Sequence, residues 1–224
     1  MTPFVEATST RNSVSILFSF RNEELNISEL VRRTILALSN PSIGPISYEL
    51  VFINDTSTDG SLELLRNLQK SNPITIVSLA RRCGPSAGVL AGIAATSTDA
   101  VIYMDSDLQD PPELIPELIA KWKKGAEVVH TQRTARKGES LIKMKITRAA
   151  YSLIALLSEE NAAPVDCGDF KLITRRVAEL VVIHSVINKC ACHTLQSLRR
   201  ASALFVQLLN KSSTVSMTFS SSGK

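Results

Sequence analysis

Four short apolar runs, each separated from the next by a stretch of helical periodicity, constrain this chain more than any other feature. They are SVSILFSF (Ser13 to Phe20), SYELVFIND, ITIVSLA and DAVIYMDSD. Apolar runs of this length read as buried strands. After the first, Ile27, Leu30, Val31, Ile35 and Leu38 recur at helical spacing; LELLRNLQKS follows the second. The small-residue stretch GPSAGVLAGIAATS follows the third and is suited to close packing on a sheet. Strands alternating with helices imply parallel pairing through right-handed crossovers, with function at the carboxyl ends of the strands. The expected fold class is α/β, a mostly parallel central sheet with helices on both faces.

Two of those strands end in carboxylates. SYELVFIND closes on Asp55, and the fourth run passes from VIYM into Asp105, Asp107 and Asp110 before a double proline. A parallel sheet gathers its ligands where strands finish, so Asp55, Asp105 and Asp107 are expected to face one crevice. Carboxylates one residue apart at a strand exit offer hard oxygen ligands to Mg²⁺ or Mn²⁺, ions that combine one or two carboxylates with substrate phosphates. The expected partner is a diphosphate. The TSTDGS turn after Asp55 has two readings: a helix cap, or a turn that makes room for a nucleoside whose base donates hydrogen bonds to Asp55. Neither G-x-x-x-x-G-K-[ST] nor G-x-G-x-x-G after the first strand occurs, which removes the usual support for a kinase or dehydrogenase.

Composition narrows the classes further. With 224 residues, 44% of them apolar, the chain can build one sizeable core. The net charge is +4, but no Asp or Glu follows Glu179, so the basic excess lies in the tail and a nucleic-acid-binding core is disfavoured. Four cysteines, Cys83, Cys167, Cys190 and Cys192, are too few and too uneven for a disulfide framework, and CACH matches no common zinc spacing. A reducing cytosol is expected, with no signal peptide and no transmembrane helix. Further on, ELIPELIAKWKKG reads as an amphipathic helix and AEVVHTQR as a strand. The helix Glu139 to Glu160 carries one apolar face beside Lys143, Lys145 and Arg148, suiting either sheet cover or an anionic membrane surface.

Six blocks, SFRNEELNI, VFINDTSTDGS, RRCGPSAGVLAGI, YMDSDLQDPPE, HTQRTARKGES and DCGDFKLITRRV, occur in the order of family 2 glycosyltransferases. The chain resembles most their polyprenyl-phosphate branch, that of bactoprenol glucosyltransferases and dolichol-phosphate mannosyltransferase. The resemblance implies a GT-A fold and an inverting transfer of a hexose from a nucleotide-diphosphate sugar, UDP-linked ahead of GDP-linked, to a polyprenyl phosphate. It further implies that Glu23, Asp55, Asp59 and Asp105 serve the nucleotide, and that Asp105 and Asp107, with Gln109 as a further ligand, meet the metal. Arg133 and Arg136 match a basic loop near the acceptor phosphate. Asp169 matches a position near the transferred sugar or acceptor, and joins Asp105 and Asp107 as an expected catalytic residue.

Departures from the pattern are also visible. Phe20-Arg21 stands where the family usually has proline or a small apolar residue and then an aromatic, and Asn54 and Thr56 stand where Asp and Gly are usual. Relatives continue into an acceptor-side segment and transmembrane helices, so a C-terminally truncated chain is expected. Residues 1–12 form an N-terminal extension, 13–180 the catalytic domain, and 181–224 a divergent, partly disordered basic tail. The expected location is peripheral, on the cytoplasmic side of a membrane, with Arg199 and Arg200 assisting. The alternatives are a soluble cytoplasmic nucleotide-sugar-binding remnant and a transferase with a soluble acceptor.

Overall fold

The computed structural model describes residues 12–133, 167–190 and 212–217. The chain runs β1 (Ser13–Phe20), α1 (Glu24–Leu38), β2 (Ser47–Asn54), α2 (Ser61–Gln69), β3 (Ile74–Ser78), α3 (Pro85–Ala94), β4 (Ala100–Asp105), α4 (Ile115–Lys123), β5 (Val128–Arg133), β6 (Cys167–Thr174), α5 (Arg175–Cys190) and β7 (Ser212–Met217). Among the described residues these strands form one seven-stranded sheet, in the order β3-β2-β1-β4-β6-β5-β7. The first three strands are laid down in one direction, and β4 then returns to the other side of β1, with β1 paired in parallel to both β2 and β4. That reversal opens a crevice at the carboxyl ends of β1 and β4, the place where open α/β sheets take their ligands.

Strict alternation along the central strands divides the core into two layers. Val14, Ile16, Phe18 and Phe20 of β1, Leu50 and Phe52 of β2, and Ile102 and Met104 of β4 pack with Ile27, Leu30, Leu65, Leu118 and Trp122 from α1, α2 and α4. Phe18 stacks on Phe52 with ring centroids 4.7 Å apart. On the opposite face Leu17, Val51, Ile53, Val101 and Tyr103 meet Ile93 of α3 and Ala178 of α5. The small residues of α3 matter as expected: a Cβ on Gly88 would lie 2.5 Å from Ser19 Oγ, and one on Gly92 2.8 Å from Ile53 Cδ1. Glycine lets the helix axis sit against β1 and β2 beside the crevice.

The mostly parallel sheet is as expected, and two features were not read from the sequence. β6 runs antiparallel to both neighbours, with Tyr103 opposite Lys171 on one side and His130 opposite Lys171 on the other. Period-two burial, with Phe170 and Leu172 inside, identifies a strand but carries no direction. The second departure is in the tail, where α5 continues to Cys190 and Ser212–Met217 forms β7 along the whole of β5. An edge strand needs little apolar content, which is why so polar a segment gave no strand signal in a tail expected to be partly disordered.

Candidate functional site: a carboxylate cleft at the strand ends

The loops that leave β1, β2 and β4 each contain a non-glycine residue in the left-handed region: Asn22 at φ 60°, Thr56 at φ 58° and Leu108 at φ 61°. Left-handed backbone is unfavourable for any residue with a Cβ and most so for a β-branched one. Strain of this kind persists where surrounding contacts fix it, and here they do. The Asn22 amide donates to Ser57 Oγ and its Oδ1 accepts from the Thr58 amide at 2.8 Å. The Thr56 hydroxyl donates to the Asp55 carbonyl. Because glycine adopts this φ without steric cost, Thr56→Gly is expected to raise unfolding stability by about 0.5–1 kcal/mol, read as a higher midpoint in urea.

Asp55 is 5% exposed. One of its carboxylate oxygens accepts from the Cys83 amide at 2.7 Å and the other from the Gly84 amide at 3.0 Å. Gly84, at φ 82°, is the N-cap of α3, so the carboxylate lies against the positive end of that helix and fixes the loop from β3. The TSTDGS turn is a cap as well. Asp59 accepts from the Ser61 and Glu24 amides, while Glu24 accepts from the Gly60 amide at 3.0 Å, so the starts of α1 and α2 hold each other. The Ser61 hydroxyl, ahead of these amides, holds the Asp59 carboxyl below its ordinary pKa. Ser61 Oγ also accepts from the Glu23 amide at 2.9 Å.

At the end of β4, the Tyr103 hydroxyl donates to Asp105 Oδ1 at 3.0 Å. The buried Ser106 reaches across to donate to the Ser19 carbonyl, joining the ends of β4 and β1. Asp107 Oδ1 accepts from the Gln109 amide at 3.0 Å, a local turn that points the carboxylate side of this loop toward the cleft. The result is a cleft of about 230 Å³ lined by Ser19, Phe20, Arg21, Glu23, Asp55, Pro85, Asp105, Ser106 and Asp107.

The expected residues thus divide. Glu23, Asp55, Asp105 and Asp107 converge on the cleft. Asp59 is an exposed capping residue and does not line it, and the exposed Gln109 contributes its backbone amide to the Asp107 turn. Arg133 is the last residue of β5. Asp169 lies in β6 where the pairing with β5 shifts register, between Lys171 opposite His130 and Cys167 opposite Gln132. A bulge of this kind re-aims the chain beside many sites. Arg136, the helix Glu139 to Glu160, Arg199 and Arg200 lie outside the described residues. Ser19, Phe20, Arg21, Pro85 and Ser106 were not assigned to the site, although Ser19, Phe20 and Arg21 stand in the SFRNEELNI block, Pro85 in RRCGPSAGVLAGI and Ser106 inside the D-x-D.

The donor set suits a hard divalent ion. Asp105 and Asp107 are half-buried carboxylates on one wall, and among the described residues no cluster of three or more His, Cys, Asp or Glu side chains could hold an ion. Two carboxylates completed by phosphate oxygens is the arrangement Mg²⁺ and Mn²⁺ accept. Further along the sheet, His130 is 9% exposed, and among the described residues neither ring nitrogen has a hydrogen-bond partner. Burial first, and then the Lys171 charge, depress its pKa. The unfolded chain therefore binds a proton near pH 6.5 that the native state refuses, so stability is full above that pH and falls as pH drops through and below it. His130→Gln is expected to flatten this acid limb in chemical denaturation followed from pH 7.5 to 5.

The family model described as glycosyl transferase family 2 matches residues 15–181. An uncharacterized glycosyltransferase of Bacillus subtilis is 39% identical over 166 residues, covering 74% of this chain and 50% of the relative. A bactoprenol glucosyl transferase of Shigella phage SfX is 39% identical over 140 residues, 60% of this chain and 44% of the relative. An undecaprenyl-phosphate 4-deoxy-4-formamido-L-arabinose transferase of Salmonella paratyphi B is 35% identical over 164 residues, 72% and 47% of the two chains. The chain spans about half the length of these curated relatives. Among solved structures, glucosyl-3-phosphoglycerate synthase from Mycobacterium tuberculosis in complex with uridine diphosphate superposes with a TM-score of 0.59 at 19% identity, over 95% of this chain and 73% of that one. The same enzyme with Mn²⁺, uridine diphosphate and phosphoglyceric acid gives 0.57 at 18%, over 92% and 68%. The fold is the GT-A fold, and the chain belongs to the family 2 glycosyltransferases.

Proposed function

We propose that the cleft binds a nucleotide-diphosphate sugar and that the protein transfers its hexosyl group, with inversion, to the phosphate of a polyprenyl lipid. The observation that carries this reading is the convergence of Glu23, Asp55, Asp105 and Asp107 on one cleft at the switch point of the sheet. In this reading Asp55, with lone pairs left beyond its two amide contacts, accepts from the base, uridine ahead of guanosine. Asp105 and Asp107 would hold Mg²⁺ or Mn²⁺, which when bound supplies positive charge to the departing diphosphate.

An acceptor phosphate is already anionic, so one of its oxygens can attack the anomeric carbon with little help from a base. The bond from that carbon to the diphosphate oxygen breaks, and the nucleoside diphosphate leaves with the electron pair. Arg133 and Arg136 suit the acceptor, since guanidinium grips phosphate oxygens in pairs. Asp169 is assigned to the transferred sugar or the acceptor. Names among the curated relatives that specify bactoprenol or undecaprenyl phosphate support the lipid acceptor, and no helix among the described residues is long and apolar enough to cross a membrane. Peripheral binding at the cytoplasmic membrane surface, through Lys143, Lys145, Arg148, Arg199 and Arg200, is part of the same proposal.

The test is incubation with UDP-hexoses carrying a labelled sugar, undecaprenyl phosphate and Mn²⁺. Label extracted into organic solvent, with the anomeric configuration inverted, is the expected result. Donor bound without transfer would instead mark a nucleotide-sugar-binding remnant, and label on a soluble phosphorylated acceptor alone would overturn the lipid assignment.

A further inference from the structure

We propose that Arg21 is the fixed cation of the donor cleft, gripping the donor's diphosphate beside the nucleoside and supplying a share of nucleotide affinity that needs no metal ion; this rests on the glycosyl-transfer reading above. The cleft of about 230 Å³ is lined by four carboxylates, Glu23, Asp55, Asp105 and Asp107, and among the described residues by one cationic side chain, that of Arg21. A single divalent ion bound with a diphosphate leaves these carboxylates with uncancelled negative charge, so a second cation on the wall lowers the cost of admitting the ligand. Arg21 stands where the family usually has an aromatic, so the resemblance itself assigns this charge no role.

Its place along the sheet fixes which part of the donor it meets. Phe20 pairs with Asn54 of β2, and Ser19 with Asp105 of β4. The residue after β1 therefore stands between Asp55, which follows β2, and the loop that carries Asp105 and Asp107. A donor with its base at Asp55 and its diphosphate at these aspartates has to pass Arg21 where nucleoside and phosphates join. The backbone on either side is held. Ser106 Oγ donates to the Ser19 carbonyl and the Asp55 amide to the Phe20 carbonyl, while the Asn22 amide donates to Ser57 Oγ and the Glu23 amide to Ser61 Oγ. The side chain is not: it is exposed, and no hydrogen bond or ion pair ties it to another of the described residues. A guanidinium carried on a fixed backbone with its donors unused can meet two phosphate oxygens at once without rearranging the protein.

The test is calorimetric titration of UDP into wild type, Arg21→Gln and Arg21→Lys, each in Mn²⁺ and in EDTA, with uridine, followed by ligand-observed NMR, as the probe that lacks phosphates. Hydrogen bonds from a guanidinium to phosphate are charge-assisted, so Arg21→Gln is expected to weaken UDP about 10-fold, and by the same factor with and without the ion. Uridine affinity should be unchanged, and Arg21→Lys should recover part of the loss. Thermal stability should stay at the wild-type value, because the side chain has no partner in the protein to lose. Wild type that binds no UDP in EDTA, or Arg21→Gln that binds it there as well as wild type, overturns the proposal. A loss of equal size for uridine overturns it too, since Arg21 would then serve the base or shape the loop. UDP affinity that depends on Arg21 in a protein that transfers sugar to no acceptor would keep the assignment and overturn the transfer reading. Transfer with an unchanged KM for UDP-hexose in Arg21→Gln would do the reverse.

Discussion

Asp107→Asn is expected to lower the affinity for UDP-sugar in Mn²⁺ by about 10- to 100-fold, while leaving the weak affinity measured in EDTA near that of wild type. The reason is electrostatic. Glu23, Asp55, Asp105 and Asp107 line one cleft, and a diphosphate placed among carboxylates is repelled unless a cation intervenes. Asparagine keeps an oxygen that can accept the Gln109 amide, which Asp107 Oδ1 accepts at 3.0 Å, so the turn is retained and only the charge is lost. Calorimetric titration with and without the ion separates the two effects. A loss of equal size in EDTA would mean that Asp107 shapes the loop and does not hold an ion.

Asp55→Ala is expected to damage both stability and binding. Its carboxylate accepts the amides of Cys83 and Gly84 and lies at the start of α3, so its removal orphans two donors and unfastens the loop that brings Pro85 to the cleft. A charged hydrogen bond contributes about 1.5–3 kcal/mol; after allowing for the desolvation that a buried carboxylate suffers, a net loss of about 2 kcal/mol is expected. For a chain of this size that lowers Tm on the order of 5 °C. Asp55→Asn, which keeps one acceptor oxygen, should recover part of the stability. If stability returns and uridine selectivity does not, the carboxylate reads the base as well as fastening the loop.

The parallel half of this fold was legible because its signals are local. Apolar runs ending in Asp55 and Asp105, and the helical recurrence of Ile27, Leu30 and Val31, each follow from periodicity within a few residues. The closeness of α3 to the sheet was legible in Gly88 and Gly92. What the sequence did not disclose depends on pairing at a distance: the reversed direction of β6 and the addition of β7 to the edge. At the site, the carboxylates were readable from their position at strand exits. The division of labour between Asp55, which fastens α3, and Asp59, which caps α1 and α2, was not, because both residues stand in the same short polar loop and only their acceptor geometry separates them.

The crevice between β1 and β4 is proposed as the donor site, with Asp105 and Asp107 holding the ion. The most direct measurement is a crystal grown with uridine diphosphate and Mn²⁺, with diffraction collected at the manganese absorption edge. One strong anomalous peak is expected, with carboxylate oxygens of Asp105 or Asp107 and diphosphate oxygens roughly 2 Å away, and the uracil ring within hydrogen-bonding reach of Asp55. Nucleotide bound elsewhere on the sheet, or in this cleft with neither aspartate near the metal, would contradict it.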